Sequence, residues 1–287
     1  MEIPAKLMKF MRAQAKSYVP ERLRPPMRHL RNLVSKPVLK YVEIHLADHC
    51  NLNCKGCGHF SPVASEKFAD LKQLSTDLDR LSHLFSNIGQ IRLMGGEPLL
   101  FPAVTEALQV PRKFFPRADL RIVTNGILLP KMNREFWRAL KDNEVCIDLT
   151  KYPISLDVDK IRRLAAENGV RVEITECNKF TAGLKMTGDS DPHAAMRRCR
   201  SYWYCPFLQE GRLHVCCLPA TVHHFNKQFN TSIPEDGGID IHDSRMSGSF
   251  ILSLLERPVS TCSFCTADEY VSFDWKVSRK EIAEWEV

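Results

Sequence analysis

From residue 41 to about residue 176 the chain repeats one pattern, a short strand-like run, a loop and an amphipathic helix-like run. That rhythm confines it to folds built on a parallel sheet packed by helices, the α/β class. Tyr41 to Ala47 alternates as a strand, and Leu71, Leu74, Leu78, Leu81, Leu84 and Phe85 recur at helical spacing. Ile91 to Met94 forms a second short strand that runs into Gly95-Gly96-Glu97-Pro98, with residues 102–115 helical and kinked or broken at Pro111. Leu120–Thr124 pairs with a helix over 133–142, and Val145–Thr150 with one over 157–168, closed at Asn168-Gly169. A fifth strand covers Val170–Thr175, and no sixth is legible. Near residue 190 the rhythm gives way to a cysteine- and aromatic-rich stretch reaching residue 273, which divides the chain into an extension (1–40), a βα core (41–190) and a smaller module (191–287).

The extension is basic. Residues 1–40 carry ten Lys or Arg against Glu2 and Glu21, a balance of +8 in a chain whose net charge is +6, so the remainder is near −2. With Leu7, Met8, Phe10 and Met11 the arm suits an anionic membrane surface or a polyanionic partner, and a solvated helix packed on the body is the plain alternative. Lys6, Lys9, Arg12 and Lys16 interrupt any signal-peptide apolar run, and no apolar run approaches membrane-spanning length. Eleven cysteines, an odd number with two CxxC-like groupings and no secretory signal, read as thiolates kept reduced for metal, and the expected location is the cytoplasm.

In parallel barrels the loops after the strand C-termini gather on one face, where active sites form. The cysteine loop, Gly95-Gly96-Glu97-Pro98, Asn125 and Thr150 all follow strands on that rim. Within the loop, Cys50, Cys54 and Cys57 supply three thiolates at CxxxCxxC spacing, whereas structural zinc and closed iron–sulfur sites ordinarily take four protein ligands. One position is left for a small molecule. Zinc or a structural iron–sulfur site is the alternative for the triplet alone, and a simple turn for the glycine motif alone.

Together, over residues 41–176, the two motifs resemble the radical S-adenosylmethionine (SAM) superfamily. The resemblance implies a partial (β/α)6 barrel and a [4Fe-4S] cluster on Cys50, Cys54 and Cys57 whose open iron binds SAM. It further implies reductive SAM cleavage to a 5′-deoxyadenosyl radical and a flavodoxin- or ferredoxin-type electron donor. Gly95, Gly96, Glu97 and Pro98 match the family's GGE motif, in which the glycines admit the methionine moiety and Glu97 accepts from its ammonium. Asp148 and Thr150 are the ribose candidates, with Asn125 a weaker one. Where the family carries an aromatic before the third cysteine this chain has Gly56, so the adenine contact falls to His59 or Phe60.

The later cysteines Cys199, Cys216, Cys262 and Cys265 resemble the shortened SPASM, or twitch, module, in which a hairpin and a later CxxC hold one auxiliary [4Fe-4S] cluster. Glu210-Gly211 fits the hairpin turn. Cys205 would face Cys216 across it, and Cys205 and Cys217 compete for ligand roles; a four-thiolate zinc site is the alternative. Cys146 is mid-strand and reads as a small apolar residue, whereas Cys177 is at the reactive rim and suits a hydrogen-atom donor in an epimerase.

The resemblance implies oxidation or epimerisation of a carbinol carbon in a sugar, aminocyclitol or glycan precursor, as in proteins of polysaccharide- or aminoglycoside-type sugar modification. A peptide or protein maturase is the second reading. A third, with structural metal sites and the basic arm as a nucleic-acid contact, gives no reason for Glu97, so no nucleic-acid partner is expected.

Overall fold

The computed structural model describes residues 36–202, 204–266 and 271–287. The expectation for the basic arm lies almost wholly outside these residues. The first strand, β1 (Val38–Ala47), begins three residues before the alternation becomes legible, so Val38, Leu39 and Lys40 belong to the sheet. In chain order there follow α1 (Leu71–Leu84), β2 (Asn87–Gly95), α2 (Val104–Ala107), α3 (Val110–Phe114), β3 (Asp119–Thr124), α4 (Arg134–Asp142), β4 (Val145–Lys151), α5 (Val158–Glu167) and β5 (Val172–Glu176). The helices form where caps and apolar stripes agree. Asp70 caps α1 by accepting from the Lys72 and Gln73 backbone N–H groups (2.7 and 3.1 Å), and Leu74, Leu78, Leu81 and Leu84 then fall on its buried face. Asn133 and Asp157 cap α4 and α5 in the same way. The stretch over 102–115 is two short helices, with Pro111 in the first turn of the second, where its missing N–H has no partner to lose.

The sixth parallel strand is not where the repeat would put it. After β5 comes β6 (Lys179–Ala182), which leaves the main sheet and pairs antiparallel with β10 (Val271–Asp274). The chain then forms α6 (Pro192–Tyr202), β7 (Phe207–Gln209), β8 (Arg212–His214), α7 (Leu218–Phe229), β9 (Ile239–Asp240) and α8 (Gly248–Leu255). β7 lies parallel beside β1, at the opposite side from β5, giving the order β5-β4-β3-β2-β1-β7-β8-β9. A sixth strand was invisible in sequence because it is three residues long and belongs to the hairpin of the cysteine-rich region. That hairpin turns at Glu210 (φ 47°) and Gly211 (φ 76°), two successive left-handed residues as a two-residue turn of the primed type requires, and pairs Phe207 with His214.

Alternation along the strands sorts the sheet's two faces. Val42, Ile44 and Leu46 of β1, Ile91 and Leu93 of β2 and Ile122 of β3 enter one apolar core with α1, α4 and α5. The other face is polar. The register sets Glu43 beside Arg92 and Arg92 beside Arg121, while Asp148 pairs with Glu173. Arg92 donates to Asp148 (2.6 Å), Arg121 to Asp119 (2.8 Å) and to Glu173, and Tyr41 to Glu43 (2.7 Å).

Candidate functional site

The cysteine loop leaves the end of β1 and is held by the end of β2. Gly96 N donates to Ala47 O (2.8 Å) and Glu97 N to His49 O (3.1 Å). A Cβ on Gly95 would stand 2.2 Å from Ala47 O, and one on Gly96 2.2 Å from His49 O. The space that these glycines leave is therefore taken by the chain's own backbone, and this close approach fixes the register of the two loops. That reason adds to the expected one, access for a ligand.

Glu97 is fully buried at the start of the turn Pro98–Leu100. Its Oε1 accepts from Leu99 N (3.1 Å) and Thr124 Oγ1 (2.7 Å), and its Oε2 from Asn125 N (2.9 Å). Burial pushes the carboxyl up to about 7 against these three bonds. Oε2, with one donor, keeps acceptor capacity for a cationic group. Asn125 closes the arrangement: its Nδ2 donates to Asn51 Oδ1 (2.7 Å) and lies 3.7 Å from Cys50 Sγ. Cysteine loop, Glu97 and the end of β3 are thus one hydrogen-bonded unit.

All three thiols of the triplet lie in N–H-rich surroundings. Leu52 N donates to Cys50 Sγ (3.3 Å), and Trp275 Nε1 to Cys54 Sγ (3.1 Å). The backbone N–H groups of His59, Ser61 and Phe60 face Cys57, with Phe60 at φ 54°. Burial pushes the Cys50 and Cys54 thiols up to about 12, so as free side chains they stay protonated, and a bound metal is what ionises them. No three cysteine sulfurs lie within 4.8 Å of one another among the described residues. One tetrahedral zinc at about 2.3 Å from each sulfur would need S···S separations of about 3.8 Å. Three thiols with N–H donors already on the sulfurs fit a polynuclear iron–sulfur cluster with one iron left open.

The remaining expectations separate. Asp148 and Thr150 share a face of β4, but the Asp148 carboxylate is committed to Arg92, with Arg121 at 3.8 Å, whereas Thr150 sits two residues nearer the rim. Cys177 lies just past β5, its N–H bonded to Lys151 O and its thiol within electrostatic reach of Cys54. Cys146 is buried in β4, as expected of an apolar residue. His59 is half-buried against His45 (ring centroids 4.8 Å apart), and desolvation drives it down to about 3, a neutral ring. Phe60 packs into a second small core with Phe225 and Trp285.

Several residues at the site carried no motif in the sequence. Residues 273–285 return to the cysteine loop: Ser278 N bonds Asn53 O, Lys55 N bonds Lys276 O, and Trp285 Nε1 donates to Cys57 O (2.8 Å). A Cβ on Gly56 (φ 65°) would lie 2.6 Å from Phe273 Cζ and 3.0 Å from Glu284 O, so a larger residue there is strained and crowds this distant segment. Tyr152 stacks near Trp275 (centroids 6.3 Å), and burial together with the neighbouring Cys54 and Cys57 raises its hydroxyl well above the usual tyrosine range.

The later cysteines also converge. Cys199, Cys216, Cys262 and Cys265 line one apolar cavity together with Met196, Val215 and Pro219. Cys216 comes from the bend between β8 and α7, and Cys262 from the turn Ser260–Phe264. Cys205 lies within electrostatic reach of Cys199, Cys216 and Cys265, and Cys217 of Cys216 and Cys57. Burial raises the Cys216 and Cys217 thiols well above the cysteine norm.

No family model matches the chain. Curated proteins match part of it. A GTP 3′,8-cyclase of Trichodesmium erythraeum is 39% identical over 105 residues, 34% of this chain and 31% of that protein. A GTP 3′,8-cyclase of Alkaliphilus oremlandii is 30% identical over 138 residues, 47% of this chain and 41% of that protein. The three-thiol loop bonded through Asn125 to a buried glutamate of a GGE turn, at the C-terminal rim of a parallel sheet, completes the picture. The chain belongs to the radical SAM superfamily. Superfamily members bind a [4Fe-4S] cluster and SAM, and Cys50, Cys54, Cys57 and Glu97 have the chemistry for them. The chain spans only about a third to two fifths of the length of these curated relatives. Among solved structures, BtrN in complex with AdoMet and 2-DOIA aligns at TM-score 0.48 and 16% identity, over 79% of this chain and 93% of that one. Among the described residues no helix is long and apolar enough to cross a membrane.

Proposed function

We propose that this radical SAM enzyme oxidises or epimerises a carbinol carbon of a sugar, aminocyclitol or glycan precursor. The observation that carries the reading is the second thiol set, Cys199, Cys216, Cys262 and Cys265 around one cavity, which has the ligand number for an auxiliary [4Fe-4S] cluster able to accept an electron. Cys205 is the alternative ligand. Bound at the triplet, cluster and SAM together supply a one-electron reductive cleavage that makes hydrogen abstraction from an unactivated carbon accessible. The protein's part is binding and aim. Glu97 Oε2 takes the ammonium of the methionine moiety, Asn125 holds the cysteine loop against it, and Thr150 is the ribose contact. Asp148, the other ribose candidate, is paired with Arg92. Gly95, Gly96 and Pro98 keep the turn that carries Glu97 tight against β1.

The polar face of the sheet supports a hydroxyl-rich substrate. Glu43, Arg92, Arg121, Asp148 and Glu173 give it charges of both signs, which suit hydroxyl donors and acceptors better than an apolar ligand. Oxidation of a carbinol removes one hydrogen atom, then one electron and one proton. Epimerisation instead returns a hydrogen atom to the opposite face, for which Cys177, beside Cys54 and Tyr152, is the donor. A flavodoxin- or ferredoxin-type protein would supply the reducing electron.

The test is anaerobic incubation of reconstituted protein with SAM, reductant and a panel of aminocyclitols and nucleotide-linked sugars. 5′-Deoxyadenosine should form in step with a product 2 Da lighter, or with solvent deuterium in an unchanged skeleton if the outcome is epimerisation. The Cys262→Ala variant should still release 5′-deoxyadenosine but yield no oxidised product. A cyclised nucleotide from GTP would instead favour the activity named in the partial relatives, and a modified peptide would favour a maturase.

A further inference from the structure

Asp48, His223 and His224 come from chain segments about 175 residues apart, yet one ligand atom from each lies within 4.8 Å of the other two. Asp48 follows β1 directly, just ahead of the cysteine loop, and the two histidines are on α7 of the cysteine-rich region. Asp48 and His224 are both buried, with side chains 5% and 6% exposed. From these positions we propose that Asp48, His223 and His224 form a binding site for one divalent transition-metal ion, separate from the thiol sites.

Three features point to an ion in preference to a plain ion pair. The Asp48 Oδ2 to His224 Nε2 separation is 3.3 Å. That is long for an N–H···O bond, whose usual length is about 2.9–3.0 Å. It equals the spacing of about 3.3–3.4 Å that two ligands at about 2.0–2.1 Å subtend at a tetrahedral ion. His223 is oriented as ligating histidines are: its Nδ1 donates to the Ala220 carbonyl at 2.9 Å, which leaves the lone pair of Nε2 for a metal. The third feature is a further imidazole that faces the triad. His45, its side chain 2% exposed, points Nδ1 at Asp48 Oδ1 from 3.5 Å, and neither of its ring nitrogens has a hydrogen-bond partner. A buried imidazole left without a partner is destabilising, and a fourth ligand or a metal-bound water at this place would supply one. Two imidazoles and a carboxylate select Zn²⁺ or Fe²⁺ over the hard cations Mg²⁺ and Ca²⁺. The ion would fasten the end of β1, and so the cysteine loop, to α7, whose preceding residue, Cys217, sets its thiol against Gly58 O (3.9 Å).

Zinc is the probe. Protein with its iron–sulfur sites reconstituted is mixed with one equivalent of Zn²⁺ and desalted, after which iron and zinc are counted and the zinc K-edge absorption is fitted. The expected result is one zinc per chain with a nitrogen and oxygen shell at about 2.0–2.1 Å. His223→Ala, at a half-exposed helix position, should lower zinc retention at least tenfold with iron unchanged, and Asp48→Asn should do the same. Zinc that is not retained, that shows a sulfur shell at about 2.3 Å, or that is retained equally by His223→Ala overturns the proposal. The iron count reads the thiol clusters separately, so a sulfur shell with iron lost is told apart from zinc at the histidines.

Discussion

Glu97→Gln removes a charge without changing shape, and its cost follows from the hydrogen bonds. Thr124 can turn its hydroxyl to accept, but the backbone N–H groups of Leu99, on Oε1, and Asn125, on Oε2, cannot. Whichever way the carboxamide is set, its NH₂ confronts one of them, and a buried donor without an acceptor costs about 1–3 kcal/mol. For a chain of this size that is a fall in Tm of about 4–8 °C at the 2 kcal/mol midpoint. Ligand linkage gives the second half. Burial holds the carboxyl up at about 7 from an ordinary 4.5, so without a cation its ionisation is destabilising. The penalty is absent below pH 4.5, grows as pH rises through the window to 7, and reaches about 3 kcal/mol above it. A bound ammonium offsets it. SAM should therefore raise the Tm of the reconstituted protein more at pH 8 than at pH 6, and Glu97→Gln should flatten that difference as well as lower the starting Tm. Differential scanning fluorimetry under anaerobic conditions reads both. An unchanged Tm in Glu97→Gln, or the same SAM shift at both pH values in the wild type, refutes the role assigned to Glu97.

Gly96→Ala places a methyl 2.2 Å from His49 O, so the turn must shift by about an ångström. We expect a loss of about 1–3 kcal/mol in chemical denaturation and weakened SAM binding, and wild-type values for both would count against the close-approach reading. Trp275→Phe removes the N–H donor from Cys54 Sγ; because that bond favours the more negative reduced cluster, the midpoint potential should fall by about 40 mV for a bond worth about 1 kcal/mol. Redox titration followed by electron paramagnetic resonance reads it, and an unmoved potential would mean that the bond is absent in the loaded protein. Cys54→Ala should stop 5′-deoxyadenosine release altogether, and release at the wild-type rate would remove the triplet from the chemistry.

Much of the core was legible because local signals and tertiary demands coincide there. The leucine stripe of α1 and the alternation of β1 agree with the packing they meet, and the strand ends automatically bring Cys50, Glu97 and Asn125 to one rim. The hairpin was legible at Glu210-Gly211 because a tight turn needs left-handed residues. What escaped depends on long-range pairing. β7 is too short to announce itself and joins the sheet through β1, more than 160 residues earlier in sequence. Trp275, Phe273 and Trp285 read as isolated aromatics until the returning segment sets them on the cysteine loop. Asp148 looked free on the face of its strand, and the arginine that takes it up lies two strands away.

Iron and sulfide content with Mössbauer spectra, on anaerobically reconstituted wild type and on a variant lacking Cys50, Cys54 and Cys57, tests the central claim most directly. Two four-iron clusters predict about eight irons falling to about four in the variant. About four falling to none would leave the later cysteines without a cluster and contradict the oxidoreductase account, and an iron content untouched by the triple substitution would contradict the assignment of the SAM site itself.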